Sequence, residues 1–138
     1  MYINFFKHWF SLFFMKKEES YALIIAFIIA IIIFIGSSIV FPSLQGIGGL
    51  NLKSTTYHFS IYFFLCAFFL LALSPKGNLS NNIFVIILSF LYAVSDEIHQ
   101  LFTSGRSFSY GDVLVNLFGI LLAALLYSIF RWWQKQKA

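Results

Sequence analysis

Long apolar runs separated by short polar stretches dominate the chain, and four of the runs are long enough to cross a bilayer. They cover residues 21–41, 57–73, 82–102 and 112–130, and a transmembrane helix takes about 20 residues. The stretches between them are short and rich in Gly, Pro and polar residues, which favour turns. Short connections make consecutive helices antiparallel neighbours. The pattern therefore predicts an all-α membrane protein, a bundle of four transmembrane helices.

The composition indicates that lipid rather than water surrounds most of this chain. Of its 138 residues, 60% are hydrophobic and only 10% are charged, whereas soluble domains carry about 25% charged residues. The net charge of +4 does not indicate nucleic-acid binding, because the basic residues flank the apolar runs and no nucleic-acid motif accompanies them. A single cysteine, Cys66, excludes an intrachain disulfide.

Basic residues predict the orientation of the bundle, because the cytoplasmic loops of membrane proteins are enriched in Lys and Arg. Seven basic residues fall on the side of the termini and the second loop, and only Lys53 and Arg106 fall on the other side. The seven are Lys7, Lys16, Lys17, Lys76, Arg131, Lys135 and Lys137. We therefore expect both termini in the cytoplasm and the first and third loops on the extracytoplasmic side.

The first 20 residues have a different character from the rest of the chain. Aromatic side chains recur there at helical spacing with polar ones opposite, which is typical of an amphipathic helix in the cytoplasmic interface. A cleaved signal peptide is the alternative, since Lys16 and Lys17 precede an apolar run, but no A-x-A cleavage site follows. We therefore divide the chain into an interfacial segment (1–20), a membrane domain (21–130) and a basic cytoplasmic tail (131–138).

The end of the third predicted span is polar although it lies within the membrane. Asp96, Glu97, His99 and Gln100 occupy four of five consecutive positions, and ionisable groups at such depth are costly unless they are paired or hydrated. On a helix Asp96, His99 and Gln100 share one face, and Glu97 lies about a quarter turn away. Folding does not require such a concentration of polar groups, so it predicts a functional site.

Other segments bring further polar residues to the same level of the membrane. They are His58 in the second span, Arg106 in the third loop, and Asp112 and Asn116 in the fourth span. Gly119 and Ala123 continue the fourth-span stripe and predict close packing towards the third span. Simpler interpretations also fit: Asp112 as a helix N-cap, Arg106 as a solvated or charge-neutralising group, and His58 as an interfacial ring.

Three kinds of chemistry fit these residue types, and the sequence leaves open whether the protein is an enzyme. His58, Asp96 and His99 could ligate a divalent metal ion, with Glu97 as a base. A carboxylate could instead orient a histidine that acts as general acid or base. Arg106 and the N-terminus of the fourth helix could bind an anion such as a lipid headgroup. The candidate catalytic residues are Asp96, Glu97 and His99, and the candidate substrate-binding residues are His58, Gln100, Arg106, Asp112 and Asn116.

The order and spacing of these residues resemble the signature of the VanZ-like membrane proteins. The third span contains D-E-I-H-Q at 96–100, G-R follows at 105–106, and D-V-L-V-N-L-F-G runs from 112 to 119. Upstream, the lysine at 53 and H-F-S-I-Y at 58–62 are similar to a further element of that family. The similarity covers about residues 21–130.

The resemblance implies a small multi-pass protein of the bacterial cytoplasmic membrane. The family's namesake is associated with resistance to teicoplanin, a glycopeptide antibiotic with a fatty acyl chain that sits in the membrane. We therefore expect contacts with membrane lipid, and with a lipid-linked peptidoglycan precursor or a lipoglycopeptide, and none with nucleic acid.

Three hypotheses about function follow. In the first, an extracytoplasmic pocket binds or modifies an amphiphile and contributes to teicoplanin-type resistance. In the second, the protein is a membrane-embedded enzyme, metal-dependent in one version, that hydrolyses or transfers a lipid headgroup. In the third, it is a non-catalytic scaffold or carrier that forms homo-oligomers through faces such as those of Gly119 and Ala123.

Overall fold

Four helices make up a computed structural model that describes residues 16–39, 52–104 and 106–137. They are α1 (Lys17–Ser38), α2 (Leu52–Leu73), α3 (Leu79–Gln100) and α4 (Tyr110–Gln136). Each is long and apolar enough to cross a membrane, and the described ranges contain no strand. The prediction of an all-α protein with four spans is therefore confirmed. The orientation of the termini stays a prediction, and residues 1–15 of the predicted interfacial segment lie outside the described residues.

The two ends of α1 are set by local hydrogen bonds. The first turn contains Glu18 and Glu19, which suits the positive end of the helix dipole, and the Glu19 carboxylate accepts from the Lys16 backbone N–H at 3.1 Å. At the other end the hydroxyls of Ser37 and Ser38 both donate to the Phe34 carbonyl, at 2.9 and 2.8 Å. α1 therefore begins at the basic residues Lys16 and Lys17, and it ends before the first loop that the sequence predicted.

The connectivity makes α2 and α4 run in the same direction, with α1 and α3 opposite to them. α2 lies at the centre, where it packs most extensively against α4 and α1. Its buried side chains include Tyr62, Leu65, Cys66 and Leu70. Cys66 is thus a free cysteine that packs as a small core residue.

The outer surfaces of the helices are apolar, as a lipid-exposed bundle requires. Large side chains point outwards along the full length of α1, α3 and α4, among them Ile24, Ile31, Phe84, Leu91 and Leu125. In water such a surface would drive aggregation. All four helices are long and apolar enough to cross a membrane, where such surfaces suit hydrocarbon.

Gly119 lets α4 approach α2, whereas its position in the sequence predicted close packing of this face towards the third span. A Cβ at Gly119 would collide with the Phe59 carbonyl oxygen and lie 3.2 Å from the Phe63 nitrogen, both in the α2 backbone. Ala123, one turn further along, is also buried. Both residues are thus buried within a single chain. They cannot form the surface through which the scaffold hypothesis expected homo-oligomers to assemble.

Hydrogen bonds fasten the end of the bundle where α2 turns into α3, which we call the turn end (Ser74, Asn82, Tyr127 and Ser128). The Ser74 hydroxyl donates to Asn82 Oδ1 at 2.7 Å, and Asn82 Nδ2 donates to the Ser128 hydroxyl at 3.5 Å. The Tyr127 hydroxyl donates to the Ser74 carbonyl at 2.5 Å. Gly77 reverses the chain here with a φ of +64°, a conformation that favours glycine. Three helices are thereby tied together at this end.

Candidate functional site

The opposite end of the bundle, which we call the acidic end, gathers buried polar side chains where α3 ends and α4 begins. Glu97 and Asn116 have no exposed surface, and Asp96 and His58 are each 6% exposed. Gln100 is buried with them. These residues come from α2, α3 and α4, so three helices contribute to one cluster.

Gln100 links the two acids of α3 to the loop that follows. Its Nε2 donates to Glu97 Oε1 at 3.2 Å and to Asp96 Oδ2 at 3.4 Å. Its Oε1 accepts from Arg106 Nη1 at 2.9 Å. The amide therefore satisfies two carboxylates with its donors and holds a guanidinium with its acceptor.

Arg106 ties the third loop to the end of α1. Besides its bond to Gln100, its Nη2 donates to the Ile39 carbonyl at 3.1 Å. Its own backbone N–H donates to the Thr103 carbonyl at 3.1 Å. The side chain is half-buried and reaches the acids only through Gln100. The sequence suggested that Arg106 is either freely solvated or the direct partner of a carboxylate. The structure shows neither arrangement.

The start of α4 corrects the interpretation of Asp112 as an N-cap. Ser109 is the N-cap, and its hydroxyl accepts from the Asp112 backbone N–H at 3.1 Å. In a capping box the acid at that position would accept from the N-cap backbone N–H. Here the Ser109 N–H donates instead to Glu97 Oε2 at 3.1 Å. Glu97 thus accepts the hydrogen bond that Asp112 would accept in a capping box. The cap does not need the Asp112 side chain.

His58, Glu97 and Asp112 come together as a group that could hold a metal ion. One ligand atom from each lies within 4.8 Å of the other two. His58 Nδ1 is buried and has no hydrogen-bond partner. This set shares only His58 with the trio expected from the sequence, which also contained Asp96 and His99.

His99 faces a different neighbour from the one expected. Its Nε2 lies 3.0 Å from the Ser38 hydroxyl, and its ring stacks on Phe34 with centroids 4.5 Å apart. Residues two apart on a helix lie about 200° apart around its axis. Glu97 therefore turns towards α4 while His99 turns towards α1, and the two do not meet in one pocket.

Further polar atoms inside the bundle have no partner among the described residues. They are Tyr62 Oη, Ser89 Oγ, Arg131 Nε, and both Oδ1 and Nδ2 of Asn116. Tyr62 is fully buried in the core. Buried polar groups are normally satisfied by protein or water, so each unpartnered atom lowers the stability of the bundle.

Comparison with protein-family models places this geometry in context. The model described as VanZ/LLP1 matches residues 1–131. The chain belongs to the VanZ/LLP1 family. The match includes the first 20 residues, which the resemblance drawn from motifs had left out. No curated protein and no solved structure matches this VanZ/LLP1 chain.

The VanZ/LLP1 chain also carries an apolar groove of about 680 Å³ between α1 and α2. The described residues that line it are Ile29, Thr56, Tyr57, Ser60, Ile61, Phe64 and Phe68. Tyr57 connects the groove to the acidic end, because its ring centroid lies 5.7 Å from that of His58.

Sequence reasoning missed Ser109 and Tyr57 in this VanZ/LLP1 site. The spacing Ser109-x-x-Asp112 matches a capping box and could have identified the N-cap. Tyr57 carries no such signal, because its role depends on how α1 lies against α2. A Cβ at Gly36 would lie 2.9 Å from the Tyr57 hydroxyl, so the glycine makes room for that ring.

Proposed function

We propose that this protein binds an amphiphile of the outer leaflet, with the acyl chain in the α1–α2 groove and the polar head at the acidic end. The position of Tyr57 carries the proposal, because this one side chain lines the groove and contacts the His58 ring. A molecule lying in the groove would therefore present its head to the buried polar cluster.

The length of the groove suits one acyl chain. It extends from Thr56 to Phe68 along α2, and twelve helical positions correspond to about 18 Å. One leaflet accounts for about half of a hydrocarbon core that is about 30 Å thick. The lining is almost entirely apolar, so a hydrocarbon chain would lose no hydrogen bond on entering.

The polar head would meet both donors and acceptors at the acidic end. Arg106 and Tyr57 offer donors, and Asp112, which is half-buried, offers a carboxylate on the accessible side of the cluster. A head with amide, amine and hydroxyl groups suits this mixture better than a bare anion, which the acids would repel. Lipoglycopeptides have such heads. A lipid-linked peptidoglycan precursor has the same groups on its sugar and peptide, and its diphosphate would have to lie beside the Arg106 guanidinium, away from the acids. We therefore propose a contribution to teicoplanin-type glycopeptide resistance.

Binding to the protein in lipid nanodiscs tests the proposal. Teicoplanin and a lipid-linked peptidoglycan precursor are the probes, and teicoplanin without its acyl chain is the ligand control. Ser60→Trp places an indole in the groove and should weaken binding of the acylated probes at least tenfold. Leu71→Trp is the matched control on the exposed face of α2 and should bind normally. Equal affinity in both variants, or no binding by the unmodified protein, would contradict the proposal.

A susceptibility assay tests the physiological part. Cells that express the protein should tolerate more teicoplanin than cells that do not, and Ser60→Trp should remove the difference. If the response to teicoplanin is unchanged, the protein does not contribute to resistance to this antibiotic. Binding of a lipid is then tested only by the nanodisc measurement.

A second candidate function is hydrolysis or transfer of a lipid headgroup. The buried Glu97, grouped with His58 and Asp112, favours it, because a carboxylate in that position could serve as a base. Glu97→Gln should then abolish turnover of the bound precursor while binding persists. Product formation by this variant at the normal rate would exclude Glu97 as the base.

A further inference from the structure

We infer that His58, Glu97 and Asp112 form a binding site for one divalent transition-metal ion, Zn²⁺ or Mn²⁺. The site joins α2, α3 and α4 at the acidic end. It differs from the trio that the sequence indicated, and it does not depend on amphiphile binding in the groove.

The distances between the three groups suit a single ion. Ligand atoms bound to one zinc ion at about 2.1 Å are at most about 4.2 Å apart, and the three candidate atoms lie within 4.8 Å of one another. Side-chain rotations that move the atoms by less than about an ångström would therefore complete the contacts.

An independent observation is the unpartnered nitrogen of His58. The side chain is 6% exposed, and its Nδ1 has no hydrogen-bond partner. A buried polar atom without a partner is costly, and coordination of a cation would remove that cost. Asn116, one turn beyond Asp112 on α4, is fully buried with both amide atoms unpartnered. Its Oδ1 could hold a metal-bound water.

Two neighbouring carboxylates at the site, those of Glu97 and Asp112, would also be stabilised by a bound cation. Glu97 is fully buried, and the Asp112 carboxylate is close to it. The described hydrogen bonds of the Arg106 guanidinium go to Gln100 and Ile39, so this cation is not in contact with either acid. Two neighbouring carboxylates repel each other unless a proton or a cation is shared between them.

Hydrogen bonds hold the Glu97 carboxylate in one orientation and leave each of its oxygens able to bind a metal ion. Its Oε1 accepts from Gln100 and its Oε2 from the Ser109 backbone N–H. Each oxygen keeps a further lone pair. Such outer contacts are common around protein metal ligands and fix their direction. Asp112 is half-buried, which leaves the site a side from which an ion can enter.

The ligand types distinguish between metals. One imidazole with two carboxylates suits Zn²⁺ or Mn²⁺, whereas Mg²⁺ prefers oxygen ligands and retains several waters. A site closed on three protein ligands also leaves a coordination position for water or substrate, as catalytic zinc sites do. The inferred site thus has the composition of a reactive centre.

Metal analysis of the purified chain in lipid nanodiscs, without amphiphile, tests the inference. After chelator treatment and dialysis, titration with Zn²⁺ or Mn²⁺ should load one ion per chain. His58→Ala, Glu97→Gln and Asp112→Asn should each weaken binding at least tenfold. His99→Ala is the matched control, because its ring packs on α1, and it should retain full binding.

Three results would overturn the inference. They are no stoichiometric binding by the unmodified chain, unchanged affinity in all three ligand variants, and loss of binding in the His99 control equal to that in His58→Ala. Replacement of the ion by Co²⁺ gives a second readout, since the visible spectrum should change when His58 is removed. Ser60→Trp should bind metal normally, so failure of the groove proposal and failure of the metal site can be told apart.

Discussion

Gly119→Ala tests the contact between α4 and α2 that lies beneath the acidic end. The added Cβ would overlap the Phe59 carbonyl oxygen and lie 3.2 Å from the Phe63 nitrogen. Both obstacles are backbone atoms, so a change of rotamer cannot relieve the overlap. Since non-bonded atoms attract best at about 3.5–4.0 Å, the two helices must separate by an amount on the order of 1 Å.

The matched control is Gly111→Ala in the same helix. Its Cβ would lie 3.6 Å from the Ser109 hydroxyl oxygen, which is an ordinary contact. Both variants gain helix propensity, at most about 1 kcal/mol relative to Gly. Only Gly119→Ala adds an overpacking cost, which is typically about 1–3 kcal/mol. The free energies of unfolding of the two variants should therefore differ by about 1–3 kcal/mol, with Gly119→Ala the less stable.

Unfolding in mixed micelles, with the detergent SDS as denaturant and helicity as the signal, measures this difference. Metal affinity gives a second readout, because separating α4 from α2 also separates Asp112 from His58. We expect Gly119→Ala to bind Zn²⁺ more weakly than Gly111→Ala does. If both variants unfold at the same SDS fraction, α4 does not touch the α2 backbone as described here.

Three further substitutions test individual contacts by the same unfolding assay. Tyr127→Phe removes the bond to the Ser74 carbonyl and should lower the free energy of unfolding by about 0.5–1.5 kcal/mol; unchanged stability would show that this bond contributes nothing. Tyr92→Phe removes a 2.6 Å bond to the Ala30 carbonyl of α1 and should cost about 0.6 kcal/mol, the average for bonds between membrane helices; a larger loss than for Tyr127→Phe would reverse the expected order. Gly77→Ala places a side chain at a φ of +64° and should cost about 1–2 kcal/mol; a stability gain would contradict the left-handed turn.

The spans were predictable from sequence because hydropathy is a sum over about 20 residues and tolerates errors at single positions. Their ends were less predictable. The fourth span was expected to end at 130, yet α4 continues to Gln136, since the residues after Phe130 include no Gly or Pro to stop a helix. A helix continues as long as its backbone permits, whereas hydropathy reports only its apolar part.

The composition of the site was predictable, but the grouping of its residues was not. Polar positions near the ends of spans are visible in the sequence, so Glu97 and Asp112 were identified as candidates. Which of them meet depends on the rotation of each helix about its axis. A rotation of about 100° per residue separates Glu97 from His99, and only the packed bundle shows which of the two faces α4.

The fully bonded turn end has a consequence for how a lipid could enter and leave. Local opening of a folded protein takes place where the fewest interactions must break. Ser74, Asn82 and Tyr127 would resist such opening at their end. The described side-chain bonds between α1 and the rest of the bundle involve Tyr92, His99 and Arg106, away from the turn end. We therefore expect α1 to open first at its beginning, and amide hydrogen exchange to be faster there than in the helices that the turn end joins. Ligand exchange would then require only a partial opening, in which the bundle keeps its topology.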